Sequence, residues 1–177
     1  MKKRKEYKGR RDPRFITIRR GGTLDNQKHH LLAIWAAKCA EHVLHYYLEE
    51  YPNDDRPKAA IEKVYVWSRG GVTMTQAREA AFAAHDAAKG ASGAASFAAR
   101  AAGHAVATAH MADHELGAAA YAIKAVMFAS LEDHKEENRR KELEWQIEQL
   151  PMEIKELVIS DQKNRNENMK LYSAFYK

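Results

Sequence analysis

Disulfides, cysteine-rich metal motifs and long apolar runs are all missing from these 177 residues. The single cysteine, Cys39, excludes an intramolecular disulfide and any cysteine-rich zinc motif within the chain. No stretch of about 18 uncharged apolar residues exists, which excludes a membrane-spanning helix. Met1 to Lys5 is charged with no apolar stretch behind it, so the pattern of a secretory signal is absent. Apolar residues do not alternate with period two in the body of the chain, so half-buried strands are not expected. The glycine fingerprints that cradle phosphates and dinucleotides are also lacking. These absences leave a cytosolic globular protein, and the length fits one domain.

What is present is alanine and unevenly placed charge. Alanine accounts for 31 residues, 24 of them between Ala77 and Ala129. Alanine is the best helix former but buries little area, so this block predicts helices that approach closely. Residues 1–20 carry ten Lys/Arg and two Asp/Glu; of the net +5, this arm holds +8 and the rest −3. The reading is a basic arm and extended strap over residues 1–22, ending at Gly21-Gly22, followed by one helical domain over 23–177. Within the strap, Phe15-Ile16-Thr17-Ile18 is a short β-prone run with no partner strand.

The periodicity predicts an all-α array of six to seven helices. The first runs from about Asp25 to Tyr51. The second starts at Pro57, a favoured first helical position, and ends near Gly70-Gly71. The third opens on Thr73-Met74-Thr75-Gln76, the pattern of a capping box. The fourth covers about 94–111. Asp113 is placed to cap the fifth, over about 114–131, which reads as the most buried. A charged segment from about 131 ends in Leu171, Tyr172, Phe175 and Tyr176, which suit a short docking piece.

Nine histidines stand out. His110, Asp113 and His114 are weak metal candidates, since His110 and His114 have i, i+4 spacing if the helix continues between them. No glutamate follows the first histidine, so the metalloprotease pattern is absent. On a helical wheel His104 and His110 point apart. Cys39 and His42 are three apart, but Cys39 faces the apolar side and nothing marks an oxyanion donor. Phe82 falls among Arg78, Glu79, His85 and Asp86 on a charged face, and Phe97 borders the Ser96–Arg100–His104 stripe. Aromatics ringed by charge serve as binding anchors. They mark Arg78, Phe82, His85, Phe97, Arg100 and His104 as partner-binding candidates, unless the strap or the C-terminal segment covers them.

Arg11-Asp12-Pro13-Arg14 and the run Ile16 to Leu24 resemble the opening of the putative immunity protein family of bacterial polymorphic-toxin systems. Trp35-Ala36-Ala37, Cys39 to Leu44, Ala101 to His114 and Gly117 to Ala122 resemble the same family. The resemblance covers about residues 11–160. It implies an all-helical bacterial cytosolic protein that binds and neutralises a cognate protein toxin. It supplies no catalytic residue and no cofactor. Two other readings stand beside it: a metal-dependent enzyme using His110, Asp113 and His114, with His42 brought near by folding, and a nucleic-acid-binding protein using the basic arm. The footprint for the last is thin, with only Tyr7 and Phe15 interleaved.

Overall fold

The computed structural model describes residues 6–168 and 170–175. Eight α-helices and no strand occur among them: α1 Asn26–Val43, α2 His45–Glu50, α3 Arg56–Ser68, α4 Met74–Lys89, α5 Gly93–Ala107, α6 Glu115–Ala129, α7 Lys135–Glu148 and α8 Met152–Asn168. Among the described residues no helix is long and apolar enough to cross a membrane.

Local chemistry sets most boundaries. The Asp25 carboxylate accepts from the Lys28 amide at 2.8 Å and starts α1. Thr73 and Gln76 close the capping box of α4, each accepting from the other's backbone N–H. The first expected helix divides at Leu44, whose N–H bonds three residues back to Glu41 instead of four. The fourth helix ends at Ala107, short of Met111, because His29 of α1 bonds the Thr108 carbonyl at 2.7 Å. Asp113 does not cap α6; its carboxylate is held by Arg11, at 2.8 and 2.6 Å.

Helices α5 and α6 form the centre. Ala98, Ala102 and Ala105 of α5 and Ala119, Ala122 and Ala125 of α6 are wholly buried. With only methyl groups between them, the backbones pack closely and leave few voids. Trp35 of α1 is also wholly buried. Its indole N–H donates to the Gln146 carbonyl of α7 at 2.8 Å. The Gln146 amide in turn donates to the Ala119 carbonyl at 3.1 Å and to Glu142 at 2.9 Å.

The strap lies on the helical body, but as two 3₁₀ turns, Pro13–Phe15 and Ile18–Arg20, with an isolated bridge pairing Thr17 with Leu24. Phe15 and Ile16 are buried. At the other end, Arg139 donates to the carbonyls of Ala174 and Phe175, and the Phe175 ring is fully buried. The Tyr172 side chain, Tyr176 and the charged start Met1 to Lys5 lie outside the described residues.

One buried group is costly. The Glu115 carboxyl is fully buried beside Asp161, with one guanidinium, Arg165, 2.7 Å from Asp161 and 3.9 Å from Glu115. Burial pushes the Glu115 carboxyl well above the usual carboxylate range, and Arg165 only partly offsets this. A raised carboxyl pKa gives stability that is complete below the unfolded value near 4.5 and is lost as pH rises through the folded value. Glu115→Gln is therefore expected to raise neutral-pH stability by roughly 1–3 kcal/mol, as such replacements of buried charge often do. Urea unfolding at pH 7.5 checks this, and a destabilised variant would refute it.

Candidate interaction face

Helices α4 and α5 carry all six residues singled out by sequence. On α4, Arg78, Phe82 and His85 step by four and three and so share one side. The Arg78 guanidinium sits 5.4 Å from the Phe82 ring centre. Phe82 is 56% exposed, so neither the strap nor the C-terminal segment covers it.

His85 meets His104 of α5 edge to face, with ring centres 5.1 Å apart. His104 stacks near-parallel on Tyr121 of α6 at 5.3 Å. Over the same Tyr121 ring lie the Arg100 guanidinium at 6.0 Å and the Lys124 ammonium at 5.9 Å. Phe97 runs on from Tyr121 to Phe128, at 6.1 Å from each, and Phe128 is 63% exposed. Cations over aromatic faces are favourable contacts and hold the rings in place. Among the described residues Arg78 and Arg100 form no ion pair. The result is a band of cationic and aromatic side chains crossing three helices. Tyr121, Lys124 and Phe128 belong to it and were not singled out by sequence. Their helix reads as core from composition, and only the docking of its neighbours leaves this side bare.

Beneath the band lies a row of imidazoles. His104 Nδ1 and His114 Nδ1 are 3.1 Å apart, so one donates and the other accepts. The His110 and His114 rings are 5.5 Å apart. His104 and His110, set apart on a helical wheel, thus both approach His114, because α5 ends at Ala107 and the wheel does not extend to residue 110. Two glycines make room for the row. A Cβ on Gly103 would lie 2.6 Å from the His85 ring, and one on Gly117 would collide with His104.

Burial lowers all four imidazoles. His104 falls to about 3, with the neighbouring His114 and His85 adding to the effect of burial. His114 falls to about 4, and Asp113 opposes that shift only partly. The neutral His104 and His114 imidazoles satisfy one another through one N–H and one lone pair, whereas His110 Nδ1 is buried with no hydrogen-bond partner among the described residues.

Other candidates lie elsewhere. Among the described residues no three His, Cys, Asp or Glu side chains are grouped to hold a metal ion. Asp113 is occupied by Arg11. His42 does not join the row; it stacks on Trp145 at 3.7 Å and bonds Glu142 at 2.9 Å. Cys39 is fully buried and its thiol is pushed up by burial, the opposite of an activated nucleophile. In the basic arm, Arg11 and Arg14 are paired with Asp113 and Asp12.

A family model described as "Imm-5 like putative immunity protein" matches residues 22–153. No curated protein matches the chain, and no solved structure does.

Proposed function

The chain belongs to the Imm-5 like putative immunity protein family, and we propose from that membership that it neutralises a cognate bacterial toxin by binding it directly, without catalysis of its own. The contact is the band of Arg78, Phe82, His85, Phe97, Arg100 and His104, extended by Tyr121 and Phe128. The exposure of Phe82 beneath an unpaired Arg78 carries this assignment. An apolar ring left in water on a rigid helix loses little entropy when a partner covers it. Unpaired guanidinium groups at its edge add direction, because they favour acceptors on the partner and reject cations. The partner surface is then an apolar socket rimmed by carboxylates. Covering a toxin's working surface is enough to block it, so no complete catalytic set is needed.

The test uses the cognate toxin domain. Phe82→Ala and Arg100→Ala are each expected to weaken binding about 30-fold, the scale of an interface hot spot. Phe82 is exposed and Arg100 only partly buried, so circular dichroism should show unchanged folding. Undiminished affinity in both variants would place the interface elsewhere.

A further inference from the structure

We propose that the cleft between the N-terminal strap and the ends of α1, α3 and α4 binds a small organic anion with a flat apolar body. The site shares no residue with the proposed toxin-binding band. It encloses about 670 Å³ and is lined by residues of the strap, α1, α3, α4 and the α5–α6 connection. That volume suits a compact molecule of one or two rings.

The lining is complementary to such a ligand in two respects. The first is charge. Three arginines line the cleft, Arg11, Arg19 and Arg20, and no Asp or Glu does. Arg11 is committed to Asp113. The Arg19 and Arg20 side chains have no hydrogen bond or ion pair among the described residues. The Asn26 side chain and the Trp67 indole N–H, also in the lining, have no acceptor either. Asp25, next to Asn26 in the chain, is taken by the Lys28 amide. Four donor side chains with no acceptor among the described residues, two of them charged and three of them exposed to water, therefore line one concave surface. A carboxylate, phosphate or sulfonate supplies the missing acceptors through charge-assisted bonds, which are about twice as strong as neutral ones.

The second is shape. Trp67 meets both the His29 and His30 rings in T-shaped contact, with ring centres 5.0 and 4.9 Å away, and so presents a fixed aromatic surface. Phe15, Met74 and Met111 complete the apolar wall. Met74 is 56% exposed, and its flexible thioether can settle against a bound ring. The strap is already pinned by the Arg11–Asp113 pair and the Thr17–Leu24 bridge. A preformed wall spares the ligand the cost of ordering it.

The probe is 2-naphthoate, titrated into the full chain by calorimetry at low ionic strength. Saturable one-to-one binding is expected, with a shift of the Trp67 indole N–H resonance, identified by its loss in Trp67→Phe. The Arg19→Gln/Arg20→Gln double variant should bind at least about tenfold more weakly, since it loses two charged donors. Both side chains are exposed, so the fold should be retained. Naphthalene-2-methanol tests the charge and inorganic phosphate tests the apolar body; each should also be at least about tenfold weaker. Absence of saturable naphthoate binding would overturn the proposal. So would undiminished binding by the double variant, or either control binding as tightly as naphthoate.

Discussion

Acidification from pH 7 to 4.5 is expected to destabilise the fold by several kcal/mol, with His104 and His114 as the main cause. Both imidazoles are held below the ordinary value of 6.5, His104 at about 3 and His114 at about 4. A lowered histidine pKa means that the unfolded chain takes up protons that the folded chain refuses. The stability it contributes is complete above 6.5 and is lost as pH falls toward the folded value. Each pH unit below 6.5 costs about 1.4 kcal/mol per imidazole, so each of the two contributes about 2–3 kcal/mol at pH 4.5. His85 and His110 shift in the same direction, with Arg100 near the first and Arg78 and Arg11 near the second, both acting with burial. Glu115 and Asp161 work the other way, because burial raises both. The cleanest measurement therefore uses the Glu115→Gln background, where the larger opposing contribution is removed. There, urea unfolding between pH 7 and 4.5 should show a steep loss of stability. Adding His104→Gln should flatten the profile by about 2–3 kcal/mol over that range. Parallel profiles with and without His104 would sink the account.

Trp35→Ala is expected to cost about 3–5 kcal/mol, the usual range for emptying a fully buried aromatic site. Typical domains are stable by about 5–15 kcal/mol, so this one change removes a large share. The mechanism has two parts. The cavity left between α1 and α7 forfeits packing, and the Gln146 carbonyl loses the indole N–H that reaches it at 2.8 Å. Trp35→Phe separates them. It keeps most of the volume and loses the hydrogen bond, so it should cost about 1–3 kcal/mol, the penalty for a buried acceptor left unmet. Urea denaturation followed by circular dichroism measures both. Equal costs would mean that the hydrogen bond, rather than the ring, holds α7 to the core.

The break at Leu44 shows where sequence reading stops. No glycine or proline marks it. Its cause is one shortened hydrogen bond to Glu41. Position 108 is similar. Thr108 to Met111 reads as continuing helix, yet the chain turns there because His29, 79 residues away, takes the Thr108 carbonyl. Asp113 has the composition of a helix cap, but a guanidinium from the strap outcompetes the backbone N–H groups for it. At Thr108 and Asp113 a non-local partner overrode a local preference.

By itself the sequence determined the all-α class, the capped start of α4, the proline-led start of α3 and the close-packed alanine centre. Those follow from interactions within a few residues, which are written in the chain. It also drew Arg78, Phe82, His85, Phe97, Arg100 and His104 to attention, through helical spacing alone. Only the tertiary structure decided that these six lie together with Tyr121 and Phe128, that Phe82 stays uncovered, and that Gly103 and Gly117 open space for a row of neutral histidines. Those outcomes depend on how α4, α5 and α6 dock, and a docking geometry is fixed by side chains that meet from distant parts of the chain.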